Sequence, residues 1–226
     1  MRNVEAANIN KNLAIYAITH FFVDATTIAA LFYCHKETNF PILIVTYNLL
    51  AFGLQPLLGL ACDAFKKPAA AAALGCIISG LSVLLTDAPF IAICLAGIGN
   101  ALFHVGGGMI SLSLRPGKAS VPGLFVAPGA LGVLVGTLSG KNSHDIKLIL
   151  LIFLAAAIIM ILSSKAPEIN YKIPSGINCR FFEVIMLLLL ISISIRSMIG
   201  LALDFPWKSN LNLLCMLTLS VFLGKV

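Results

Sequence analysis

Long apolar stretches separated by short polar connections dominate this chain. They run at about 13–33, 41–61, 69–86, 89–113, 120–138, 146–163, 181–203 and 211–224. A helix needs about 20 apolar residues to cross a hydrocarbon core of about 30 Å, and most of these stretches approach that length. Runs such as Ile146–Leu162 and Val184–Ile195 do not alternate, which sets aside the period-two strands of an outer-membrane barrel. A backbone facing lipid must satisfy its own hydrogen bonds, so each stretch is assigned as a helix. The pattern predicts an all-α polytopic membrane protein.

The polar connections divide the chain. Ser163–Arg180 is polar, holds two prolines and a glycine, and follows six helices. It reads as a cytoplasmic linker. The expected organisation is a six-helix bundle over 1–164, a linker over 165–180, and an incomplete second bundle of helices seven and eight over 181–226. The eighth stretch is about 14 residues long before the ending Gly224-Lys225-Val226, which is short for a crossing. The expectation is a chain truncated in or just after helix eight.

Composition agrees with the pattern. Mean hydropathy is +1.01, 59% of residues are hydrophobic and 11% are charged, against about 25% charged in soluble domains. The net charge of +6 does not form a nucleic-acid patch, because the basic residues are spread among the connections. With the N-terminus in the cytoplasm, that side carries Arg2, Lys11, Lys66, Lys67, Arg115, Lys118, Lys165, Lys172, Arg180 and Lys225. The opposite side receives Lys36, Lys141, Lys147 and Lys208, and Arg196 lies within a helix. That asymmetry predicts a cytoplasmic N-terminus in the plasma (inner) membrane. Met1–Asn12 has no signal-peptide layout, so the first helix is read as retained. The six cysteines make no CxxC pair and read as small core residues.

Ionisable groups at membrane depth are costly and mark functional sites by default. His20 and Asp24 stand one helical turn apart on one face, where an imidazolium and a carboxylate can meet. They are the proton-coupling candidates. Gly97, Asn100, His104 and Gly108 share a face of helix four, and Asn100 and His104 are candidates to line a cavity. Gly106-Gly107-Gly108 lowers helix propensity there and predicts a bend or a tight backbone contact. Arg196 in helix seven is a third cavity-lining candidate; it keeps its proton and needs an acid or anionic partner, and Asp24 is the first to test. Pro128, Gly132, Gly136 and Gly140 recur every four residues, predicting a bend and a small-residue packing surface. Gln55, Gly59 and Asp63 share a face in helix two. No HExxH, nucleotide loop or GxSxG is present, so the chain is not expected to be an enzyme.

Gly59-Leu60-Ala61-Cys62-Asp63-Ala64-Phe65-Lys66-Lys67, placed between helices two and three, resembles the signature loop of the major facilitator superfamily. Ala64 replaces the usual basic residue after the aspartate, and Lys66 stands where a glycine is expected. His20-Phe21-Phe22-Val23-Asp24 and Asn100-Ala101-Leu102-Phe103-His104-Val105-Gly106 look like the fosmidomycin-resistance-like efflux branch. Arg196-Ser197-Met198-Ile199-Gly200 and Phe205-Pro206-Trp207-Lys208 look like it too. The resemblance covers about residues 13–226. It implies a major-facilitator-like N-terminal six-helix bundle plus about two helices of the second half, with four further helices absent. It also implies a substrate cavity between two halves, a cytoplasmic gate latched through Asp63, and no transport by this chain alone.

The functional expectation is the N-terminal part of a secondary active, proton-coupled transporter of small organic molecules, in drug or metabolite efflux. Its partners would be a small-molecule substrate, protons, the lipid bilayer, and the absent C-terminal half or a second copy. No nucleic acid, cofactor or metal is expected. Two alternatives stand beside it. One is a non-transporting membrane subunit or dimerising half-transporter. The other is an intramembrane metal-dependent enzyme built on His20, Asp24 and His104, which would have to converge from helices one and four. The sequence leaves that convergence open.

Overall fold

The computed structural model describes residues 2–142, 144–165 and 210–225, together with scattered positions between 167 and 199, and describes side chains from Asn8 onward. Among the described residues the chain is all helix, without a strand. The helices are α1 (Arg2–Tyr33), α2 (Phe40–Asn48), a π-helical turn (Leu49–Gly53), α3 (Gln55–Phe65), α4 (Pro68–Leu84), α5 (Pro89–Leu114), α6 (Ser120–Lys141), α7 (Lys147–Ser163) and α8 (Leu211–Leu223). Among the described residues four rods are long and apolar enough to cross a membrane: Asn8–Tyr33, Phe40–Phe65, Pro89–Leu114 and Ser120–Lys141. Three shorter apolar helices accompany them, Pro68–Leu84, Lys147–Ser163 and Leu211–Leu223. This is the build of a membrane protein. Arg196, Phe205, Pro206, Trp207 and nearly all of the expected 165–180 linker lie outside the described residues.

Helix ends depart from the apolar stretches in two places. α1 begins at Arg2, not near residue 13, because hydropathy marks the lipid thickness while the hydrogen-bonded helix continues into the polar prefix. Asn12 Nδ2 donates to the carbonyl of Asn8 (3.0 Å) and to that of Lys165 (3.2 Å), fastening this extension to the end of α7. The second stretch is not one uniform helix. Pro56 supplies no backbone N–H and its ring crowds the carbonyl four residues back. The chain widens into the π-helical turn just before it, and Gln55 Nε2 donates to the Ala51 carbonyl at 2.8 Å.

The signature-like segment is also helical rather than a loop. Gly59 through Phe65 complete α3, and Lys66 and Lys67 make the connection to α4. Lys66 closes α3 in the left-handed region at φ 56°, where glycine is the ordinary occupant because a Cβ is strained there. Asp63 is exposed at this end.

Small residues decide which helices touch. α1 lies along α6 and also packs on α5, while α4 lies along α5 and α7 covers α4 and α1. On α6 the contact stripe is Gly129, Gly132, Gly136 and Gly140. A Cβ on Gly132 would strike the Phe21 carbonyl, and one on Gly136 would sit 2.5 Å from the Ala25 carbonyl and 2.9 Å from Ala29 N. The stripe therefore starts at Gly129. Pro128 faces elsewhere, lining an apolar crevice with Leu13, Ala17, Leu124 and Phe222 of α8. Gly75 and Gly99 bring α4 and α5 equally close, and Gly106 abuts the Pro68 carbonyl and Ala72 N. The glycine run thus makes a tight backbone contact within a continuous α5. Close backbone approach of this kind is how helices associate where lipid removes the hydrophobic drive.

One end of the bundle is tied by polar contacts. The Tyr33 hydroxyl donates to the His144 carbonyl (2.6 Å) and accepts from Ile146 N (3.3 Å). Lys147 Nζ donates to Thr86 Oγ1 at 2.8 Å and lies 5.2 Å from the centre of the Tyr33 ring. Together they join the ends of α1, α4 and α7.

Candidate functional site

α1 and α5 each carry polar residues near the middle of a 26-residue apolar span, and the packing brings the two groups together. His20 and Asp24 lie at the centre of Asn8–Tyr33, and Asn100 and His104 at the centre of Pro89–Leu114. His20, Asp24 and Asn100 are buried, and the His104 side chain retains 23% exposure. Asp24 is the hub. Its Oδ1 accepts from Asn100 Nδ2 at 2.9 Å and lies 3.2 Å from His104 Nε2. Its Oδ2 lies 3.2 Å from His20 Nε2. The two imidazoles meet edge to face with centroids 4.4 Å apart.

Hydrogen-bond accounting constrains the protons. His20 Nδ1 lies 2.9 Å from the Phe125 carbonyl, and a carbonyl only accepts, so Nδ1 carries hydrogen. In a neutral His20 the Nε2 would then present a lone pair to Asp24 Oδ2, acceptor against acceptor. The contact is favourable only if one additional positive charge sits between them, as a proton on either partner or as another cation. His104 imposes no such demand, because a neutral ring with hydrogen on Nε2 donates to Oδ1.

A second set of partners continues the network. Thr27 Oγ1 donates to the Val23 carbonyl at 3.0 Å. It therefore accepts from the Tyr47 hydroxyl (3.3 Å) and from Asn100 Nδ2 (3.4 Å). Tyr47 stands two residues before the π-helical turn, so the second membrane rod is joined to the Asp24 hub through Thr27 and Asn100. Gly129 gives the cluster room: a Cβ there would lie 2.5 Å from Asp24 Oδ2 and 2.7 Å from His20 Nε2. Phe103 and Phe125 wall the His20 ring, with centroids 5.7 and 4.6 Å away.

Of the residues singled out from sequence, His20, Asp24, Asn100 and His104 form this one site. Gly97 and Gly108, expected on the same face, do not join it. Gly97 packs on the backbone of Tyr47 and Ala51, and Gly108 has open space where a Cβ would stand. At the level of Gly97, one turn before Asn100, α5 lies against the second membrane rod. Gly59 and Asp63 lie on α3 and Lys66 and Lys67 in its connection to α4, and the expected pairing of Arg196 with Asp24 falls outside the described residues. Sequence reasoning missed Thr27, Tyr47, Phe125 and Gly129. Thr27 carried a signal, three residues after Asp24 on the same face. Gly129 belonged to the glycine stripe but was masked by Pro128.

His20, Asp24 and His104 also offer one donor atom each within 4.8 Å of one another, a grouping able to hold a metal ion. Comparison with protein families, curated proteins and solved structures finds no match for this chain.

Proposed function

We propose that this chain is the N-terminal part of a secondary active transporter of small organic molecules, driven by protons and built on the major-facilitator plan. It would sit in the plasma (inner) membrane with its N-terminus in the cytoplasm. The observation that carries the reading is the His20–Asp24–Asn100–His104 cluster, buried except at His104, at the middle of two membrane-length helices. Transporters of this kind bind substrate and coupling ion near the midplane, between bundles that rock about the site. The proton needed between His20 and Asp24 supplies the differential contact that any coupled conformational change requires. When it is present, the pair and its link to α6 through Phe125 hold together. When it leaves, two acceptors face each other in a low-dielectric interior and the cluster loosens. His104, more open than its partners, is the side chain placed to meet substrate. The close contacts of α1 with α6 and of α4 with α5 suit rigid-body rocking.

The test uses inverted membrane vesicles from cells expressing the whole transporter that contains this chain, with an imposed pH gradient. Adding a panel of drug-like compounds should provoke substrate-dependent proton movement, and Asp24→Asn should abolish it. Undiminished proton-driven movement in Asp24→Asn vesicles would remove Asp24 from the mechanism and overturn the reading.

A further inference from the structure

We infer that His20, Asp24 and His104 bind one divalent transition-metal ion of zinc-like preference. The site is the one proposed above to hold a proton, but metal binding stands whether or not the protein transports.

The donor set comes first. Two imidazoles and one carboxylate suit zinc, cobalt, nickel or iron(II), while magnesium and calcium prefer oxygen ligands throughout. Zinc sites that keep an open position carry three protein ligands of this type.

Geometry comes second. Metal–ligand bonds of 2.0–2.1 Å in a tetrahedron place neighbouring donors about 3.3 Å apart. His20 Nε2 to Asp24 Oδ2 is 3.2 Å, and His104 Nε2 to Asp24 Oδ1 is 3.2 Å. All the donor atoms lie within 4.8 Å of one another, so the remaining edge exceeds the tetrahedral spacing by at most about 1.5 Å, on the side of the partly exposed His104 ring.

The surroundings are the third and most specific observation. Ligating histidines donate their other ring N–H to a backbone carbonyl or carboxylate, and ligating carboxylates are themselves hydrogen-bonded. His20 does the first through Nδ1 to the Phe125 carbonyl, and Asp24 the second through Asn100 Nδ2. Both ligands are thus oriented from behind. His20 Nε2 is left as a lone pair aimed at Asp24, an arrangement unfavourable without a cation. A metal ion meets that need as a proton does. Access is on the His104 side, since His20 is 2% exposed.

The experiment titrates the full chain, purified in detergent and stripped with chelator, with cobalt(II). Binding is followed by the visible absorption of the bound ion, with zinc as competitor. One equivalent should bind and be displaced by zinc, while a large excess of magnesium or calcium leaves it in place. His104→Gln and Asp24→Asn should weaken binding beyond the roughly 100-fold reached when outer partners are lost, and Asn100→Ala should weaken it about 10–100-fold. His35→Gln and His144→Gln, far from the cluster, should leave it unchanged. His104→Gln keeps the test valid if Asp24→Asn fails to fold, because its side chain is the least enclosed of the three. No saturable absorption, or binding retained in His104→Gln and lost in the His35 and His144 variants, would overturn the site. Proton movement in metal-free vesicles reads the transport proposal separately: flux without cobalt binding sinks only the metal site, and cobalt binding without flux sinks only transport.

Discussion

Gly129 shows how one absent side chain shapes the cluster. Its hydrogen occupies the place where a methyl would meet both Asp24 Oδ2 and His20 Nε2. Gly129→Ala should force the pair apart and destabilise the protein by about 1–3 kcal/mol, the usual penalty of overpacking, measurable as a lowered Tm in detergent. Cys34, just past the end of α1, makes a pH-dependent prediction. Burial, reinforced by nearby Glu37, pushes its thiol up to about 11. The thiolate is the reactive form, so alkylation of Cys34 in folded protein should be very slow at pH 8 and climb steadily towards pH 11. The folded value is raised, so the stability linked to this thiol is complete below the ordinary cysteine range and is lost as pH rises through about 11. At this scale the sequence was informative: four-residue spacing marked His20 with Asp24 and Asn100 with His104. It was silent on Phe125, whose contribution is a backbone carbonyl that every residue possesses.

Helix ends and helix contacts carry the next set of consequences. Lys66 holds a left-handed backbone at the end of α3 for which a lysine pays strain of roughly 1–2 kcal/mol. Lys66→Gly should therefore raise Tm. Gly108→Ala should raise it too, by up to about 1 kcal/mol of helix propensity, because nothing lies within 4 Å of the added carbon. Gly106→Ala, two residues earlier, should lower it through collision with the Pro68 carbonyl. A thermal melt of the three variants checks all of these. The apolar stretches gave away most helices to within a few residues, yet no feature of α1 or α5 alone announced that they would meet at Asp24. That pairing is tertiary, set by glycines whose contacts are visible only once α6 and α4 are in place. The left-handed Lys66 was foreshadowed, since it stands where the resembling pattern has glycine.

At the level of the whole molecule, the described residues bury one polar cluster while many large apolar side chains face outward. Leu148, Ile152 and Ile159 of α7 are more than half exposed, the reverse of a water-soluble protein and the expected surface of a helix in lipid. In sealed vesicles, Ile152→Cys should resist a membrane-impermeant maleimide, while Asn142→Cys, beyond the end of α6, should react from one face only. The face that reacts reports the orientation expected from the basic residues. Free reaction at Ile152→Cys would contradict insertion. The eight-helix count and the Arg196 pairing belong to this scale and rest on sequence pattern, because a lone arginine in an apolar stretch specifies a need for a partner without specifying which.

The π-helical turn after Tyr47 holds a spare residue in its widened loop of backbone. Each residue of an ordinary α-helix advances the side chains by about 100°. Removing one residue from Leu49–Gly53 would let the rod wind regularly, but one of its halves would have to swivel by that amount. Either Tyr47 would swing off Thr27, or Gln55 and everything beyond it would turn to new neighbours.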